Sequence, residues 1–199
     1  MRSGTLAATL AANGLLFGFQ WASATHLAVI HRIKAQLWAN LAFTAAFNDM
    51  SFCAMRTRSY SVADTTGTGN TAATLTGHNG KKRTSYATSQ FATVGAIRCA
   101  GTAVIAGGTG TDDTNFLACS TFGKPNNVNA AAGTEFLDTQ GAILLDYQPS
   151  LADGESPDVY AQNEGFRLRN GPIVWPAAGT GVLSVMIQWS EIELARFPG

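Results

Sequence analysis

The sequence predicts an all-β protein: one antiparallel β-sandwich domain over residues 1–199, jelly-roll-like, with long loops or arms. Three observations carry this. Short apolar runs recur at intervals of roughly ten residues, divided by Gly, Pro and Asn, the spacing of strands in sandwiches and barrels. In the segment 181–194, Leu183, Val185, Ile187 and Trp189 alternate with Ser184, Met186, Gln188 and Ser190, the period of two that a half-buried strand requires. No tandem repeat and no linker divides the chain.

The first run, LLFGFQWA at 15–22, lies between a glycine and a Ser/Thr pair and reads as a strand. The next, 26–43, fits two periods. At period two Leu27, Val29, Ile33, Ala35 and Leu37 share a face with His31 as the exception; at helical spacing Leu27, Ile30, Leu37, Trp38 and Leu41 form a stripe. Residues 41–60 contain two further runs broken at Asn48-Asp49, a pair that favours turns. Within the second, Phe52, Ala54, Arg56, Arg58 and Tyr60 alternate with Ser51, Cys53, Met55, Thr57 and Ser59, which places both arginines on one face.

A polar excursion follows at 61–86, SVADTTGTGNTAATLTGHNGKKRTSY. Strand-like composition resumes at 91–100, where Gly95 suits a bulge. The glycines at 107, 108 and 110 predict a turn before a run at 116–119, and 120–140 reads as loop. GAILLDY at 141–147 has the length of a strand, 149–157 is an acidic loop, and YAQNEGFRLRN at 160–170 leads into Gly171-Pro172.

Charge is scarce and unevenly placed. Charged residues make up 13% of the chain, where about 25% is usual, so a neutral surface is expected to face other protein. Residues 1–98 hold nine basic residues against two acids, Asp49 and Asp64; residues 99–199 hold four against eleven. The two halves can pair within the fold, or they can meet across subunits, where complementary potential sets register. With a net charge of zero and no long basic stripe, nucleic acid is not the expected partner. The N-terminal apolar run at 6–12 is short and interrupted, so it is read as mature sequence rather than a signal. Residues 3–25 are uncharged but too polar for a span of about 20 apolar residues, and no membrane partner is expected. Three widely spaced cysteines, Cys53, Cys99 and Cys119, suggest reduced thiols and folding in a cytoplasm.

Catalytic signatures are missing. There is no G-x-S-x-G elbow, and GHNGKKR at 77–83 lacks the phosphate-loop spacing because Lys82 stands where Ser or Thr is needed. His26 and His31 are five apart and face opposite sides of a strand, so neither they nor His78 make a metal site. Asp112-Asp113 reads as a solvated turn rather than a cation site, which would need several alternating oxygens. Asp146, Glu155, Asp158 and Glu164 supply carboxylates for sugar hydrolysis without a motif to choose among them. The four tryptophans read as core or interface anchors rather than sugar platforms. The expectation is no enzyme, no cofactor and no metal.

A resemblance takes the reading further. GTLAATLAANGLLFGFQWASATHLAVIHRI at 4–33, RSYSVADTTGTGNTAATLTGHNGKKRTS at 58–85, AQNEGFRLRNG at 161–171 and VLSVMIQWSEIE at 182–193 are similar to a group of tailed-phage and prophage virion structural proteins. The resemblance favours a strand over 26–43. It implies a β-rich particle subunit made in the host bacterial cytoplasm and carried on the virion, either a capsid decoration (cement) or a head-fibre-base protein. Its partners would be itself, as a homo-oligomer and by analogy a trimer, and the major capsid protein or other virion proteins. Lys81, Lys82, Arg83, Arg56 and Arg58 are the candidate subunit-interface residues. The alternative is a tail or head fibre module that binds host-surface carbohydrate.

Overall fold

The computed structural model describes residues 1–41, 50–70, 89–91, 96–106, 108–122, 142–172, 174–175 and 178–197. Among these residues the strands are β1 (Leu15–Trp21), β2 (His26–Leu41), β3 (Met50–Val62), β4 (Thr68–Asn70), β5 (Ala96–Cys99), β6 (Thr109–Phe122), β7 (Ala142–Tyr147), β8 (Asp158–Tyr160), β9 (Glu164–Asn170) and β10 (Thr180–Glu193). One sheet runs β4-β5-β1-β9-β3-β6 and the other β10-β2-β7, with β8 beside β2. The pairings are antiparallel, and the two sheets pack face to face as the predicted sandwich. Among the described residues no helix is long and apolar enough to cross a membrane.

The ambiguity of residues 26–43 has a physical cause. β2 pairs with β10 so that Gln188 faces Arg32 while Trp189 faces Ile30, which leaves His31 as an extra residue. Such a bulge shifts the side-chain phase by one. Ala28 and Ile30 point into the core before it, and Ile33, Ala35 and Leu37 after it. Neither an unbroken period of two nor a period of 3.6 describes that row.

The core is aromatic. Phe17 and Phe19 of β1 lie against Phe166 of β9 with ring centroids 5.8 and 5.3 Å apart, and Phe19 meets Tyr160 at 6.2 Å and Trp189 at 6.0 Å. Each fully buried ring is worth about 2 to 3 kcal/mol. Phe91 stacks on Phe19 at 5.2 Å and lies outside the strand that the sequence predicts there; β5 begins at Ala96. The carboxylate of Glu191 fixes the approach to Phe91, accepting from the Ser89 hydroxyl and from the Gln90 amide.

The N-terminal residues close one side of the sandwich. Ser3 and Leu6 donate to the carbonyls of Leu183 and Gly181 on β10, while Gly4 and Ala7 donate to Ala100 and Thr102 beyond β5. Residues 181–185 of that edge strand therefore have their backbone groups covered, which protects a strand edge from stray pairing.

Three expectations are corrected. Cys53 is disulfide-bonded, and the register sets Cys119 opposite it across β3 and β6; Cys99 is free and buried. Sequence spacing could not show this pairing, because strand register creates it. β6 begins at Thr109, so Asp112 and Asp113 stand in a strand and not in a turn. Residues 68–70 of the polar excursion form a strand on β5; residues 71–88, with the basic trio, and Gly95 lie outside the described residues.

Candidate functional site

The sequence FRLRN in β9 alternates, so Phe166 and Leu168 enter the core and Arg167 and Arg169 stand on the opposite face. There the register places Arg167 against Met55 and Arg169 against Cys53. Arg167 is almost wholly enclosed, with its side chain 4% exposed, and it bonds Asp64 at 3.0 Å and Asp112 at 3.4 Å. Its guanidinium lies 4.7 Å from the centroid of the Tyr60 ring. Arg169 reaches the same Asp112 at 2.6 Å and donates to the carbonyl of Asn13. Thr57 donates to Asp112 as well. Two guanidiniums and two carboxylates thus neutralise one another on the outer face of the six-stranded sheet.

Glycines make room for this cluster. A Cβ at Gly18 would stand 2.7 Å from Asp64 Oδ2, one at Gly108 would stand 1.9 Å from Asp64 Oδ1, and one at Gly110 would meet both Arg167 Nη atoms at 2.9 Å. Of the glycines that read as a turn in the sequence, Gly108 and Gly110 are therefore a socket, Gly110 standing within β6. Asp64 lies within the polar excursion, and two residues on, Thr66 exchanges hydrogen bonds with the backbone of Ala106. These contacts lay the root of the excursion onto the sheet.

The electrostatics follow from burial. Desolvation pushes the Asp64 carboxyl above its ordinary range, with Arg167 and then Arg169 working against it. Tyr60 is pushed up to about 12, chiefly by burial. Arg167 is raised, because the pull of burial is outweighed by Tyr60, Asp64 and Asp112. Beside the cluster, Asn13, Gly14, Leu15, Val104, Ile105 and Gly108 border a pocket of about 250 Å³ whose polar side is Asp64, Arg167 and Arg169.

A second cluster holds β8 and β9 to β3. Arg56 donates to Asp158 at 3.2 Å, to Glu164 at 3.3 Å and to the carbonyl of Val159 at 3.1 Å, and lies over the Tyr160 ring. Burial raises the Asp158 carboxyl. The guanidinium bridges the two carboxylates, so the geometry is that of a tie between strands.

Lys81, Lys82 and Arg83 lie outside the described residues. Arg56 is engaged by Asp158 and Glu164 and Arg58 by Asp113. Arg58 is the extra residue between the pairs Thr57–Asp112 and Ser59–Thr111, so the simple alternation that would align it with Arg56 is interrupted there. Of the carboxylates considered for sugar hydrolysis, Asp146 is bound by Arg32 at 2.6 Å and Glu155 accepts from the Ser150 amide. Only Asp158 and Glu164 come together. His31 bonds Ser190, and no cluster suited to a metal occurs among the described residues. Trp21 and Trp175 are buried, Trp189 packs against the core, and Trp38 is 36% exposed, so the tryptophans form no shared groove. The Asp64 cluster was not anticipated; the alternation of Arg167 and Arg169 was its one signal.

Comparison with known proteins finds no matching family model, no similar curated protein and no similar solved structure.

Proposed function

We propose that the chain is a structural component of a bacteriophage virion, a capsid decoration or head-fibre-base subunit. In this reading it assembles as a homotrimer and binds the major capsid protein. The observation that carries it is the internal use of charge. Arg32, Arg56 and Arg58 of the basic half are paired with Asp146, Asp158, Glu164 and Asp113 of the acidic half, and Asp64 of the basic half with Arg167. These charges are spent on one another, and the described surface bears exposed Trp38, Val62, Val174, Met186, Leu194 and Phe197. Neutral surface with apolar anchors suits burial against neighbouring subunits. Assembly would act mechanically, each contact stabilising the shell by mass action on the assembled state.

Native mass spectrometry at micromolar concentration is expected to give a trimer, and antibody labelling of intact particles to decorate the shell or its vertices. A monomer without particle labelling would overturn the proposal. Charge reversal of Lys81, Lys82 and Arg83 is expected to impair assembly more than folding.

A second reading, a fibre module that binds host-surface carbohydrate, is favoured by the pocket beside Asp64 and Arg169. It is tested by binding of the purified protein to host envelopes.

A further inference from the structure

We propose that the pocket bordered by Asp64, Arg169, Leu15, Val104 and Ile105 binds a single neutral sugar ring through two adjacent hydroxyls. The inference rests on the carbohydrate-binding reading and supplies its residues. Asp64 Oδ2 is turned to Gly18, whereas Oδ1 lies beside Gly108 on the pocket wall; Oδ1 accepts from Arg167 and, as a carboxylate oxygen with two lone pairs, can accept a second hydrogen bond. Arg169 spends three N–H donors, two on Asp112 and one on the Asn13 carbonyl; a guanidinium carries five, so two are unspent among the described residues, and the side chain is 26% exposed. An acceptor beside a donor is what a pair of neighbouring hydroxyls requires, one donating to the carboxylate and the next accepting from the guanidinium.

Charge decides against an ion. Asp64 and Asp112 balance Arg167 and Arg169, so the pocket has no net charge to attract a phosphate or a metal cation, and a neutral ligand avoids the cost of desolvating one. The wall of Leu15, Val104 and Ile105 is aliphatic and suits the C–H face of a sugar ring. The volume, about 250 Å³, falls below the roughly 300 Å³ at which pockets for drug-sized ligands begin, which leaves room for one ring. The donor and acceptor come from different parts of the chain, the root of the excursion and β9, so the site exists only in the folded protein.

The test is saturation-transfer NMR of the full chain with methyl glycosides of glucose, galactose, mannose and N-acetylglucosamine. With few hydrogen bonds and a small contact area, a dissociation constant of about 1 mM is expected for the best of them. Val104→Phe fills the pocket without replacing a member of the ion cluster and is expected to weaken that binding at least tenfold (about 1.4 kcal/mol), with retention of the fold checked by circular dichroism because Val104 also packs against the core. Asp64→Asn, which keeps the shape and removes the carboxylate, is expected to weaken it several-fold. Silence with all four sugars, equal displacement by glycerol, or binding that survives Val104→Phe would each overturn the site. Host-envelope binding that persists in Val104→Phe would retain the carbohydrate-binding reading and move it elsewhere on the surface.

Discussion

Asp64 Oδ1 and Arg167 Nη2 meet at 3.0 Å with side chains 6% and 4% exposed, on the outer face of a sheet where water would ordinarily solvate both. Replacing Arg167 with Met leaves two enclosed carboxylates without their shared cation, and a loss of about 3 to 5 kcal/mol is expected. Arg58→Ala removes a pair whose arginine is 65% exposed and is expected to cost less than about 1 kcal/mol. Urea denaturation of the two variants checks the contrast; equal losses would mean that the enclosed pair is solvated in solution.

The socket gives a test of geometry rather than charge. A Cβ on Gly18 meets Asp64 Oδ2 at 2.7 Å and nothing else closer than 3.8 Å. Gly18→Ala is therefore expected to cost about 2 kcal/mol in the native chain and much less in an Asp64→Ala background. A double-mutant cycle measures the coupling, and additive losses would show that the carboxylate does not fill the space beside Gly18.

Titration should follow the direction of the shifts. The folded pKa values of Asp64 and Asp158 are raised, so as pH falls through them the folded state takes up protons before the unfolded state does, and stability rises. Asp146 is held below its ordinary value by Arg32; its contribution is present above the unfolded pKa and is lost as pH falls through the folded one. The melting temperature is therefore expected to increase on mild acidification from neutral pH and to decline only below about pH 4. Asp64→Asn should flatten the rise. A monotonic fall from neutral pH would contradict the assignment.

The disulfide of Cys53 closes a loop of roughly 65 residues if joined to the cysteine opposite it in register, worth about 4 kcal/mol in the chain-entropy account. Reducing agent is expected to lower the melting temperature by roughly 10 °C, and Cys53→Ser to abolish the difference between reduced and oxidised samples. Identical melts with and without reductant would mean that the bond does not form.

Local pattern was enough to predict a sandwich. Leu183, Val185, Ile187 and Trp189 hold the core face of β10 as their alternation predicts, because side-chain direction along a strand is a local property of the backbone. Where a pattern was interrupted, local reading lost its hold. His31 shifts the phase of β2, and no count of apolar positions marks a bulge that the partner strand creates. Asp64 read as one acid among polar residues, and Arg167 as one of two basic residues in a strand, since nothing links positions so far apart until β1, β3, β6 and β9 lie side by side.

By itself, then, the sequence determined the all-β class, the inward faces of its regular strands, the shortage of charge and its division between the halves of the chain. Those properties depend on near neighbours and on composition. Only the tertiary structure decided which charges meet, that Cys53 is bonded, and that glycines at 18, 108 and 110 clear space for Asp64 and Arg167. Register and sheet order bring distant residues within bonding distance, and both are properties of pairs of strands that neither strand carries alone.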